Sequence, residues 1–539
     1  MERADEATTA PGNTADPVVR TPYGAVRGRY ENGIAVFRGI PFAAPPFGPH
    51  RFRPPVPPEP WHGVRDAGAF GPTPPKPPYS ESFARYLSDP VVEGEDCLNL
   101  NVWTPAPDPG ARLPVMVWVH GGALTRGSSA VPVYDGSSFA RDGIVLVSFN
   151  YRLGVEGYGL FPDAPPNPGL RDQLAALEWV HEAVTAFGGD PDRVTVFGES
   201  AGAISIGALL ASPRARGLFQ RAVLQSGPPE STQRDKVRRL VRRMATRLKV
   251  PATAAAFAAV DRALLAETQA EVGRRASPIL GGPAFGIVVD GDLVPRDPLE
   301  ALLDGAAGDV PLLLGWTSEE YRLWLVPTGL IERIDRLGAV ALAGAMARCH
   351  CGPEVPRGYR IAHPDAPVSD LVGQMVTDHL LRFPLHRLAG SRTGGGRAPS
   401  YVYEFAWRSR VPGLGACHAL ELGFVFDSAE VPESAKLAGP GAPRALAREM
   451  HTAWVRFARD GDPGWPAWDT THPVRVFGGD GAPLAHGPRD AEMALWEAAS
   501  TRPEAAPTAS GAGSGTLLRG ATPLSAVRRL RRPGDTPRQ

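Results

Sequence analysis

The sequence predicts an α/β fold: one central, mostly parallel sheet with helices on both faces and, in a chain of 539 residues, length to spare for insertions beside it. Three observations carry that prediction. Apolar runs of strand length alternate with longer segments of helical periodicity. Those runs lack the polar alternation of a half-solvated strand, so each is expected to be buried on both faces. Hydrophobic residues make up 43% of the 539 positions, enough for a large core and too many for wholesale disorder. No self-similar repeat of roughly 20 to 50 residues points to a solenoid or propeller instead.

Taken in order, residues 115–120 (VMVWVH) and 144–149 (IVLVSF) read as buried strands. A helix is expected over 171–187, with Leu174, Leu177, Val180, Val184 and Phe187 on one face and Gly188-Gly189 at its end. Residues 193–197 (RVTVF) make a third strand, followed by a small-residue helix over 201–211 that stops before Pro213. Segments 221–225, 310–314 and 401–405 read as further strands. Open sheets of this type place their chemistry at the carboxyl ends of the strands.

Composition excludes several classes. Fifty-seven basic and 57 acidic residues give a net charge of zero, so no general basic surface exists for nucleic acid or an anionic membrane. No apolar run approaches transmembrane length, and the charged, polar N-terminus does not read as a secretory signal. Cytoplasmic residence is expected. The four cysteines, Cys97, Cys349, Cys351 and Cys417, are too few to staple such a chain. Cys349-His350-Cys351 suggests a metal, but three adjacent residues cannot all face one ion, and none is expected there. Only four basic residues are lysine, an Ala/Gly/Pro/Arg bias of the kind high-G+C bacterial coding produces. Residues 1–17 and 497–539 are expected to be disordered tails around a domain spanning 18–496. The basic cluster at 527–533 is taken as part of a solvated tail.

The chemistry enters at Phe197-Gly198-Glu199-Ser200-Ala201-Gly202. As a bare pattern, glycine-x-serine-x-glycine is cheap. Here a strand runs into it and a small-residue helix runs out. That context implies a tight elbow that lifts the Ser200 hydroxyl above the sheet, with glycines two residues either side avoiding collisions. A serine hydroxyl needs an imidazole to take its proton and a carboxylate to orient that imidazole. On this fold their chain order is serine, acid, histidine. Composition alone does not choose among His418, His451, His472 and His486. The strand over 115–120 leads into Gly121-Gly122-Ala123-Leu124, whose amides, with that of Ala201, can face a developing oxyanion. Each such donor is worth about 3 kcal/mol to a tetrahedral intermediate. His120 itself reads as a packing residue of the turn.

At this point the chain resembles the type-B carboxylesterases, the cholinesterase-like branch of the α/β-hydrolases, and bacterial para-nitrobenzyl-esterase-like members above all. The likeness rests on FRGIPFAAPP at 37–46, Arg51-Phe52 and Trp61, EDCLNLNVWTP at 95–105, NYRLG at 150–154 and FGGDP at 187–191. It continues through VDGD at 289–292, Val425-Phe426 and GDP at 461–463. The resemblance implies Glu320 as the acid, in LGWTSEEY at 314–321, with Glu319 a minor alternative because Tyr321 stands where the family has glycine. It implies His418 as the base, in the His-x-x-Glu-Leu pattern His418-Ala-Leu-Glu421-Leu422. Glu199 is similar to the family's buried glutamate beside the nucleophile, and Ser226 to a residue supporting the acid.

Departures are informative. Ala123 replaces a family glycine, Leu124 stands where an aromatic is common, and Glu156 stands where Phe is usual and is expected to add charge near the gorge. Cys97 lacks the upstream cysteine of the secreted relatives' disulfide loop. No tryptophan lies between residues 79 and 95 to bind a quaternary ammonium, so choline esters are not the expected substrate. The expected protein is a serine carboxylesterase acting through an acyl-enzyme on a small-molecule ester. It is expected to need no metal or organic cofactor, to bind no nucleic acid, and to be a monomer or weak homo-oligomer. The rivals are a related acyl transfer (amidase, carbamate hydrolase, or transacylase or cyclase) and a non-catalytic binding module of the same fold, which typically lacks the serine.

Overall fold

In the computed structural model, which describes residues 15–273 and 284–501, the apolar runs named above assemble into one large sheet. The strands of the described residues, in chain order, are β1 (Val18–Thr21), β2 (Gly24–Arg27), β3 (Arg29–Glu31), β4 (Ile34–Pro41), β5 (Val64–Asp66), β6 (Asn99–Thr104) and β7 (Leu113–Val119). They continue with β8 (Val145–Phe149), β9 (Gly189–Glu199), β10 (Arg221–Gln225), β11 (Leu312–Thr317), β12 (Ser400–Phe405), β13 (Pro473–Phe477) and β14 (Leu484–His486). β1, β2 and β5 form a small separate sheet; the others form an eleven-stranded sheet in the order β14-β13-β12-β11-β10-β9-β7-β8-β6-β4-β3.

From β13 to β8 every neighbouring pair is parallel, whereas β14 and the β6-β4-β3 edge are antiparallel. The parallel strands are the ones that read as unbroken apolar runs. All five residues of β8 and all six of β11 are buried. Fully covered strands need apolar residues on both faces, which is why their sequence shows no alternation. The side chains divide into two large core clusters. One contains Val117, Val147, Leu177 and Val196, the other Trp103, Trp118, Phe139, Phe197 and Trp454.

The order of strands sets the position of the site. The chain lays β8 on one side of β7, crosses through the helix Pro168–Ala183, and lays β9 on the other side. That reversal opens a crevice at the carboxyl ends of the strands. Register brings those ends level: Val119 lies opposite Gly198, Glu199 opposite Gln225, and Gln225 opposite Gly315.

Boundaries shift in ways local chemistry explains. The helix expected over 171–187 starts at Pro168, where proline's fixed φ suits the first helical position, and tightens into a 3₁₀ turn over Val184–Phe187. Gly188, at φ 84°, then caps it. β9 is longer than expected and begins at Gly189. At the carboxyl end of the chain the helix Asp490–Ser500 runs past residue 496. Asp16 pairs with Arg29 at 3.2 Å. The rest of the expected tails, 1–14 and 502–539, with the basic cluster at 527–533, lies outside the described residues.

Candidate active site

Ser200 occupies the junction of β9 and the helix Ala201–Leu210, with φ 55° and ψ −122°. A non-glycine residue held there stores backbone strain. Two contacts hold it. The Ser200 amide donates to the Gln225 carbonyl at 2.8 Å, and the Ser200 carbonyl accepts from the Ile204 amide at 2.9 Å. The flanking glycines are required sterically. A β-carbon at Gly202 would lie 2.0 Å from the Val119 carbonyl oxygen, and one at Gly198 2.7 Å from the same atom. β7 therefore presses directly against the elbow.

Across the crevice, Glu320 follows β11 and His418 lies beyond β12. His418 Nδ1 is 2.5 Å from Glu320 Oε2. The other oxygen, Oε1, accepts from Ser226 Oγ at 2.7 Å and from the Thr317 amide at 2.7 Å. Burial alone would raise the carboxyl's pKa, but the His418 charge, its hydrogen bond and these donors together hold it below the ordinary value. Glu319 turns elsewhere: it binds Arg322 Nε at 2.7 Å, the Ala416 amide at 2.9 Å and, at 3.2 Å, the guanidinium of Arg408. Of the two adjacent glutamates, Glu320 is the one that faces the imidazole.

The outer nitrogen of His418 is drawn to Glu199. Nε2 lies 2.8 Å from Glu199 Oε1, yet that oxygen is off the N–H axis and has no hydrogen-bond partner among the described residues. Nor does a hydrogen bond join Ser200 to His418 there. Such nucleophile–base contacts commonly tighten only with substrate bound. Burial would depress the His418 pKa, but the charges of Glu199 and Glu320 override it and raise it well above 6.5. A third carboxylate, Glu421, is buried behind them. Burial and its two acidic neighbours push it up to about 8.

The turn after β7 takes positive φ at three successive residues, Gly122 (114°), Ala123 (54°) and Leu124 (57°). Among the described residues no hydrogen bond uses the amides of Gly122, Ala123 or Ala201 as donor, so these N–H groups are unspent. The turn is rigidly backed. Tyr151 donates to the His120 carbonyl at 2.7 Å and stacks on the His120 ring at 4.4 Å. Burial holds His120 at a pKa of about 3, a neutral packing residue. Gly121 approaches Glu199 and Ser200 so closely that a β-carbon would lie 2.7 Å from Glu199 Oε2.

Some neighbours carried no sequence signal. Trp324 lies against the His418 ring at 4.6 Å between centroids. Lys76 and Asp89 form a buried ion pair, and Lys76 also donates to the Gly127 carbonyl at 3.1 Å, tying segment 75–92 to the turn after β7. One expectation changes. Glu156 does not add free charge: it is paired with Arg51 at 2.6 Å, because a buried carboxylate needs a counter-charge. Tyr321 goes into the helical layer and donates to Asp370 at 2.7 Å.

An α/β sheet carrying a serine elbow beside an imidazole–carboxylate pair has the layout of a serine hydrolase. Residues 15–477 match the profile of the Carboxylesterase family. The para-nitrobenzyl esterase of Bacillus subtilis (strain 168) is 37% identical over 482 residues, covering 84% of this chain and 92% of that protein. The phenmedipham hydrolase of Pseudarthrobacter oxydans is 35% identical, covering 87% and 96%. A carboxylesterase crystal structure from Geobacillus stearothermophilus superposes with a TM-score of 0.78 at 37% identity, covering 89% of this chain and 99% of that one. The chain belongs to the carboxylesterase family and, as a member, is a carboxylic-ester hydrolase with the α/β-hydrolase fold.

Proposed function

We propose that the domain spanning 18–496 hydrolyses small-molecule carboxylic esters through an acyl-enzyme on Ser200. The observation that carries the reading is the His418–Glu320 contact, 2.5 Å long and reinforced by Ser226 and Thr317, beside a serine strained onto an elbow. In this mechanism His418 Nε2 leaves Glu199 and takes the Ser200 proton as Oγ adds to the ester carbonyl. The unspent amides of Gly122, Ala123 and Ala201 receive the oxyanion, and Glu320 stabilises the imidazolium. His418 then protonates the departing alcohol. Water, deprotonated by the same imidazole, releases the acid and regenerates Ser200.

Cytoplasmic residence is part of the proposal. It is supported by the four cysteines, all unpaired among the described residues. No helix of the described residues is long and apolar enough to cross a membrane.

The test is hydrolysis of short p-nitrophenyl esters. Ser200→Ala should lower kcat about a million-fold while leaving the circular dichroism spectrum unchanged. Wild-type turnover in the substituted protein would refute the assignment.

A further inference from the structure

On the opposite flank from β7, three segments remote in sequence meet: the helix Phe383–Ser391, the turn entering β13, and the start of the helix Asp490–Ser500. Each brings one side chain with a metal-ligating atom: His386, His472 and Asp490. Those three ligand atoms lie within 4.8 Å of one another.

We propose that His386, His472 and Asp490 form a binding site for a divalent transition-metal ion of the zinc type. His472 Nδ1 is 2.8 Å from Asp490 Oδ1, and His386 Nε2 is 3.9 Å from that same oxygen. Zinc binds imidazole and carboxylate at about 2.0–2.2 Å, so tetrahedral donors stand about 3.3 Å apart. These two separations bracket that value, and the third pair of ligand atoms lies within 4.8 Å.

The second observation is an unspent nitrogen. His386 Nε2 is buried and has no hydrogen-bond partner among the described residues. A buried polar atom without a partner carries a desolvation cost that a ligand would relieve. His472 Nδ1 is already hydrogen-bonded to Asp490 Oδ1, a contact the ion would replace, and ring contacts orient both imidazoles. Trp468 stacks on His472 at 4.7 Å and 9°, and meets His386 edge-on at 5.1 Å. The two imidazoles meet each other at 5.0 Å, nearly perpendicular. His472 takes a left-handed backbone, φ 48°, to enter the group. The cationic neighbour Arg489 is turned away, onto Glu404.

The ligands come from three separate segments, so a bound ion would clip the helix Asp490–Ser500 to the edge of the sheet. The set of two histidines and one carboxylate leaves a fourth position open to water.

The experiment uses the full chain, stripped with chelator and titrated with zinc chloride by calorimetry, with thermal denaturation in parallel. One saturable equivalent and a raised Tm are expected for wild type. Affinity should fall at least tenfold in His386→Ala and in His472→Ala. Cobalt(II) should give wild type the intense visible bands of a low-coordinate ion, and neither variant should show them. Hydrolysis of p-nitrophenyl acetate by the metal-free variants reports that they fold, and His386→Gln serves if the alanine variant does not. Absence of saturable zinc binding in wild type would overturn the proposal. So would equal zinc affinity in wild type and the His386 variants, which would place the ion elsewhere.

Discussion

His418 is held between two carboxylates, and the balance between them sets the pH at which it can act. A general base must be neutral, so activity should decline as pH falls through the folded-state pKa of His418. That pKa is raised above 6.5: burial pulls it down, but Glu199 and Glu320 pull it up further. The acid limb of the kcat/KM profile should therefore lie above pH 6.5. Glu199→Gln removes one of the two charges and leaves the Glu320 contact intact. Its acid limb should move to lower pH, by about one unit for each 1.4 kcal/mol of Glu199 interaction removed. The measurement is kcat/KM against pH for both proteins. An unmoved or upward-shifted limb would show that Glu199 does not set the basicity of His418.

Among elements, the stretch 75–92 is the least regular part of the site's surroundings, yet it is strongly anchored. The side chains of Lys76 and Asp89 are only 2% and 6% exposed. Burial lowers the lysine pKa and raises that of the aspartate, and their mutual attraction opposes both shifts. Removing one partner leaves the other charged and buried, which costs about 3–5 kcal/mol, whereas replacing both with apolar residues is often near neutral. Lys76→Met should accordingly lose about that much stability in urea denaturation, and Lys76→Met with Asp89→Leu should regain most of it. Because Lys76 also holds the Gly127 carbonyl, the single variant should lose kcat as well. Equal stability of the single and double variants would deny the pair its anchoring role. This anchor was not legible in sequence. The elbow at Ser200 was, because glycine spacing and a strand-to-helix transition are local signals. Lys76 and Asp89 stand 13 residues apart with nothing in their spacing to announce a pair. Trp324 reached His418 the same way, through a fold that brings distant segments together. Glu156 misled for a related reason: its partner Arg51 is 105 residues away.

At the scale of the whole molecule, the sheet and its two core clusters were readable from apolar runs, but the third cluster was not. It gathers Leu325, Ile334, Val355, Tyr359, Met375, Met493 and Trp496, drawn from helices inserted after β11 and from the helix Asp490–Ser500. Their amphipathic patterns announce helices but not the surface each will cover. Two residues make this layer matter to the site. Trp324 packs partly against both this cluster and the second core cluster while lying on His418. Trp496, 2% exposed, closes the layer from the far end of the chain and donates to the Tyr359 hydroxyl at 2.8 Å, which in turn binds Asp378. Truncating a buried tryptophan to alanine costs about 3–5 kcal/mol. The inserted helices have their own small core, so that loss should fall on them before it reaches the sheet. Trp496→Ala is therefore expected to lose esterase activity at a temperature several degrees below its main calorimetric transition, as the layer loosens and Trp324 leaves His418. In wild type the two temperatures should coincide. If they also coincide in Trp496→Ala, the inserted layer and the sheet unfold as one unit, and the layer is not what holds Trp324 against the imidazole.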